Sequence, residues 1–219
     1  MKYPIDKNQD GKLKLNDELL QGEFLRDPVG AYGRRPLGPY TIEEYYAIPE
    51  DRRVELIDGY IYDMASVSKV HQRILLAAAY QIQSCIESLR KECELYVAPS
   101  DVQLDEDIYT MVQPDIFVVC GPDDPKEHAH QGAPELIVEI LSPSNRMHDK
   151  VRKLLKYRKA GVREYWIIDP ENREVLVYLF AERDEPERYS FEDIIPIGIS
   201  EGHCKVDFAA ISRSIARFY

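Results

Sequence analysis

Apolar and polar positions follow two different periods along this chain, and each change of period marks an element. From residue 68 to about residue 90, apolar residues recur every three or four positions (Ile74, Leu75, Ala78, Ile82, Cys85, Ile86, Leu89), the stripe of a long amphipathic helix. Thr41-Ile42-Glu43-Glu44 has the form of a capping box and predicts a short helix ending before Pro49. Residues 53–57 and 60–64 flank Asp58-Gly59, the pattern of a β-hairpin with a tight turn. Short β-branched runs at 94–98, 111–120, 135–141, 163–169 and 173–181 read as strands, with 121–133 as a polar loop. A second helix is predicted over about 145–159, with Gly161 beyond its end, and a last one near 207–217. This order predicts an α/β (α+β) domain: a mixed sheet flanked by helices and preceded by a β-hairpin.

Residues 1–39 are polar and rich in glycine and proline, and read as an irregular N-terminal arm before a domain over 40–219. Within the arm, Asp6, Asn8, Asp10, Gly11 and Asp17 have the alternate spacing of a calcium loop. Lys14 stands where such a loop needs an oxygen ligand and Asp17 where it needs the longer Glu, so a plain polar arm is the reading adopted.

Composition narrows the function classes. No apolar run approaches the roughly 20 residues of a membrane span, and no apolar leader opens the chain, so a cytoplasmic protein without membrane partners is expected. The four cysteines (Cys85, Cys93, Cys120, Cys204) form no CxxC pair, and reduced thiols are expected. A net charge of -11 is the wrong sign for a protein that coats nucleic acid. Yet residues 150–163 hold seven basic side chains and no acidic one, which predicts a local basic helix surface or simply a solvated face.

Candidate chemistry lies in two carboxylates embedded in apolar strands. Asp115 opens Ile116-Phe117-Val118-Val119, and Glu139 interrupts Leu136-Ile137-Val138 and Ile140-Leu141. An ionised carboxylate leaves water only at high cost unless a cation answers it. Two of them in successive strands point to a shared divalent cation or a buried Lys or Arg. Magnesium takes oxygen ligands, often one or two carboxylates plus phosphate and water. Asp149, Lys153 and Tyr157 share one helix face, which brings Lys153 within reach of such a site or, more blandly, pairs it with Asp149. Glu55 on the hairpin and His71 at the long helix's start are further ligand or acid/base candidates. His128 and His130 read as loop residues.

Taken together, Tyr40-Thr41-Ile42-Glu43-Glu44-Tyr45, Val54-Glu55-Leu56-Ile57-Asp58-Gly59, His71, Pro114-Asp115, Val138-Glu139-Ile140-Leu141-Ser142-Pro143-Ser144, Asp149, Lys153, Tyr157 and 161–170 resemble the Uma-type restriction-endonuclease family of the PD-(D/E)XK nuclease superfamily. The resemblance implies a restriction-endonuclease-like core and a Mg2+-dependent (or Mn2+-dependent) DNA endonuclease acting as a homodimer. It implies Asp115, Glu139 and Glu55 as metal ligands and Lys153 as the catalytic lysine. The position two beyond Glu139 is Leu141 rather than Lys, and the resemblance moves that lysine to Lys153. The competing expectation is a nuclease-fold protein that binds nucleic acid or a protein partner without cleaving. A third is a structural dimer whose acidic pair has no catalytic role.

Overall fold

In the computed structural model of the chain, residues 39–49, 51–89, 92–104, 108–121, 128–142 and 146–218 are described, the side chains of 146–151 excepted. The expected arm, its calcium-loop-like spacing and the Asp149–Lys153 pair lie outside them. Helix α1 (Ile42–Tyr46) begins with the expected capping box: the Thr41 side chain accepts the Glu44 N–H, and the Glu44 carboxylate accepts that of Thr41. Strands β1 (Val54–Ile57) and β2 (Tyr60–Asp63) form the hairpin. Its turn places Asp58 and Gly59 at φ 51° and 77°, which favours glycine at the second position.

Helix α2 (Lys69–Leu89) follows, then β3 (Cys93–Val97), β4 (Asp101–Gln103), β5 (Ile116–Cys120), β6 (Ala129–Gln131) and β7 (Leu136–Ile140). Helix α3 (Arg146–Ala160) leads to β8 (Glu164–Asp169) and β9 (Glu174–Leu179). The chain ends with β10 (Glu187–Ser190), β11 (Ile194–Pro196), β12 (Lys205–Asp207) and helix α4 (Phe208–Ile215). Six strands align in the order β10-β9-β8-β7-β5-β3, with β7 and β8 parallel and the other neighbours antiparallel. The parallel pair is joined through α3, as a crossover requires. The expected mixed sheet flanked by helices is thus present.

Alternation along the central strands divides the core. Ile116, Val118, Leu136, Val138, Trp166 and Ile168 pack with α2 and α4; Phe117, Ile137, Tyr165 and Ile167 pack with Tyr157 of α3. The α2 stripe buries Ile74, Leu75, Ala78, Ile82 and Ile86, as its period requires.

Four expectations are corrected. The single strand expected over 111–120 is broken. Met111 and Val112 bridge to Leu56 and Val102, and the main sheet resumes only at Ile116, after Pro114, which has no N–H to donate. The polar loop at 121–133 contains β6, paired in parallel with β4, so His130 lies on a strand against Phe117. Three residues of strand are too short to show a period. The cysteines pair as Cys85–Cys204 and Cys93–Cys120, 119 and 27 residues apart, instead of standing as reduced thiols. Local spacing tests only neighbours, whereas these pairs are made by α2 meeting the β11–β12 hairpin and by β3 meeting β5. The cytoplasmic expectation thereby loses the support that reduced thiols lent it. Lastly, the basic run over 150–163 is only in part an open surface, with Lys159 and Arg163 exposed. Arg152, Lys153 and Lys156 are buried, Arg152 over the Tyr62 ring and Lys156 against Asp58 and Thr110. These three turn inward to the hairpin and the sheet, whereas Lys159 is exposed and Arg158 is half-buried against Asp184. No helix among the described residues is long and apolar enough to cross a membrane.

Candidate active site

The ladder between β5 and β7 ends at the pair Ile116 and Val138; Asp115 precedes the one and Glu139 follows the other. Asp115 lies just outside β5, and its Oδ2 accepts the Ile140 N–H at 2.8 Å. The same oxygen lies 3.1 Å from Nε2 of His71, a buried residue in the first turn of α2.

Glu139 lies next to the end of β7 on the side that faces α3. Its Oε1 accepts from Lys153 Nζ at 3.0 Å and from the Tyr157 hydroxyl at 2.7 Å. Lys153 and Tyr157 are one helical turn apart, so both reach the same carboxylate. Lys153 Nζ also donates to Glu55 Oε1 at 2.8 Å, and that oxygen accepts the Gln113 N–H at 2.8 Å. Helix α3 therefore ties the hairpin to the sheet through one buried ammonium held between two carboxylates.

The electrostatics are contested at this point. Burial pushes the Glu139 carboxyl up to about 8; Lys153 and the Tyr157 hydrogen bond pull it down, while the nearby charges of Asp115 and Glu55 push it up further. Burial also raises the Tyr157 hydroxyl well above its ordinary range, with help from Glu139 and Glu55. A site in which three carboxylates face one ammonium favours an additional positive charge.

All four sequence candidates, Glu55, Asp115, Glu139 and Lys153, occupy one region. Among the described residues, however, no three His, Cys, Asp or Glu side chains are gathered so as to hold a metal ion together. Glu55 is engaged by Lys153 and the Gln113 backbone, and Asp115 and Glu139 are each engaged by two donors of their own. The donor set fits a magnesium-type ion in one respect: each carboxylate uses a single oxygen for protein hydrogen bonds. Oε2 of Glu139, Oδ1 of Asp115 and Oε2 of Glu55 carry none among the described residues. Two carboxylate oxygens plus water and phosphate suit an ion that binds few protein ligands.

Sequence reasoning missed Gln113 and its support. The Gln113 side chain donates to Asp101 Oδ1 at 2.8 Å and to the Tyr45 hydroxyl at 3.2 Å, while Tyr45 donates to Asp101 at 2.9 Å. Burial and Asp101 raise the Tyr45 hydroxyl. Tyr45 and Asp101 are 56 positions apart, so only the position of Gln113 just before Pro114-Asp115 could have signalled it.

Comparison with known proteins bears on the family and the fold. An uncharacterized protein of Synechocystis sp. is 29% identical over 147 residues, covering 65% of this chain and 75% of its own. The crystal structure of a putative nuclease belonging to DUF820 from Anabaena variabilis superposes with a TM-score of 0.65 at 24% identity, covering 79% of this chain and 99% of the other. That likeness establishes a shared fold. The model of the Uma2 family, described as "Putative restriction endonuclease", matches residues 42–200, from the capping-box helix to beyond β11. The chain belongs to the Uma2 family.

Proposed function

We propose that this protein is a magnesium-dependent DNA endonuclease of the PD-(D/E)XK type. Family membership supports a nuclease-like function, and the observation that carries the finer reading is Asp115 bound to the Ile140 N–H beside Glu139, with Lys153 on the latter. Asp115 and Glu139 would hold the cation, which when bound supplies charge neutralisation and an acidified water for phosphodiester hydrolysis.

The chain's own residues prepare that site. Lys153 and Tyr157 fix one oxygen of Glu139 and leave the other without a hydrogen bond among the described residues. Glu55 holds Lys153 in place and is itself oriented by the Gln113 N–H, so its role is to position the lysine. With its ammonium donating to two carboxylates, Lys153 stabilises the ionised form of Glu139, the form a cation needs.

Purified protein incubated with supercoiled plasmid and magnesium or manganese should nick it. Asp115→Ala and Glu139→Gln should each abolish nicking. Cleavage surviving Asp115→Ala, at unchanged specific activity, would refute the assignment.

One observation favours a second reading, a binder that does not cut. Lys153 is already committed to Glu55 and Glu139, while Leu141 takes the strand position where the superfamily carries its lysine. In that case DNA binding would persist in EDTA and be indifferent to Glu139→Gln.

A further inference from the structure

We propose that His71 is a positioning residue of this site: it commits one oxygen of Asp115 to the protein and so reserves the other for a divalent cation. The inference rests on the metal-dependent reading above and adds a residue that acts through Asp115, without touching the ion.

Asp115 precedes β5, outside the regular ladder, so strand geometry alone does not fix its side chain. The carboxylate torsion is broad and roughly two-fold, and a half-turn exchanges Oδ1 with Oδ2. Two donors from different elements remove that freedom. The Ile140 N–H comes from β7 at 2.8 Å and His71 Nε2 from α2 at 3.1 Å, both to Oδ2. A carboxylate only accepts, so the ring nitrogen facing it carries the hydrogen. Oδ1 receives no hydrogen bond among the described residues.

His71 is itself held firmly. It is 3% exposed, and its backbone N–H is received by Ser68 Oγ at 3.1 Å, which sets the first turn of α2. Its other ring nitrogen, Nδ1, is buried and has no hydrogen-bond partner among the described residues. A buried polar atom left unpaired opposes folding. A ring placed for stability alone would satisfy both nitrogens or be apolar; here one nitrogen goes unsatisfied while the other fixes Asp115. With Nε2 engaged and Nδ1 enclosed, His71 offers no lone pair to an ion. Its effect is exerted on the carboxylate, as outer partners of metal ligands act elsewhere.

The test measures Mn2+ binding by calorimetry on the full chain, alongside the metal-free melting temperature. His71→Leu should weaken binding by about tenfold or more. His71→Gln, whose amide nitrogen can reach the place of Nε2, should recover most of it; His71→Asn, one bond shorter, should not. Metal-free melting temperatures of the Gln and Asn variants should agree closely, which separates positioning from folding and keeps the test decisive if the Leu variant does not fold. Wild-type affinity in His71→Leu, or equal weakening by Gln and Asn, would overturn the proposal while leaving the metal reading intact. A wild-type protein that takes up no Mn2+ would overturn both.

Discussion

Replacing Lys153 with Met removes the ammonium between Glu55 and Glu139 while keeping most of the side chain's volume. At contacts of 2.8 and 3.0 Å, an effective dielectric of about 20 gives roughly 6 kcal/mol of gross attraction for each pair. Most of that is offset by desolvating three charges, and removing one partner of a buried ion pair typically costs about 3–5 kcal/mol net. That range is the expected loss at about pH 9 in EDTA, where Glu139 is driven towards ionisation. At about pH 5 Glu139 keeps its proton, so one of the two ion pairs is absent and the loss should shrink by about half. Urea unfolding of wild type and Lys153→Met at both pH values measures the difference directly. Magnesium should restore part of the loss at the higher pH, because a cation that binds the fold and not the unfolded chain stabilises it. A loss below about 1 kcal/mol at the higher pH, or an equal loss at both, would refute the reasoning, since a solvent-exposed pair behaves that way.

Two further outcomes follow from the fold. In metal-free protein, Glu139 keeps its proton in the fold at pH values where the unfolded chain has lost it, so the folded state binds more protons. Its stabilising contribution, read as wild type minus Glu139→Gln, should therefore be greatest below 4.5 and decline as pH rises through about 8; a contribution growing with pH would contradict the cause given for the shift. Alkylation of the native, unreduced protein should find no reactive thiol. The larger loop makes Cys85→Ser the costlier substitution, about 5 kcal/mol against about 3.5 for Cys93→Ser on chain entropy alone. Four alkylated cysteines, or the reverse ranking, would count against the pairing.

Local pattern was enough for the elements whose signals are periodic or covalent in origin. The stripe of α2 had to face a core because seven apolar residues at helical spacing cannot all face water. The capping box and Asp58-Gly59 specify their turns through hydrogen bonds and dihedral angles that lie within a few residues. The same locality explains what was misread. β4 and β6 are three residues each and exist only because they pair with each other. The break at Pro114 depends on which neighbours Met111 and Val112 find.

For the site, the chain alone determined that carboxylates sit where apolar strands should exclude them, and that Lys153 and Tyr157 share a helix face. It did not determine where the cations go. A basic run on a helix is compatible with water, nucleic acid or a buried partner. Only packing α3 against the hairpin decided that Arg152, Lys153 and Lys156 turn inward to Tyr62, Glu55, Glu139 and Asp58. His71 on Asp115, Gln113 on Glu55 and the pairing of four cysteines were likewise settled by tertiary structure. The reason is one of range. Periodicity and turn chemistry act over a few bonds, whereas a buried charge is stabilised only by the particular partner the fold brings within about 3 Å of it.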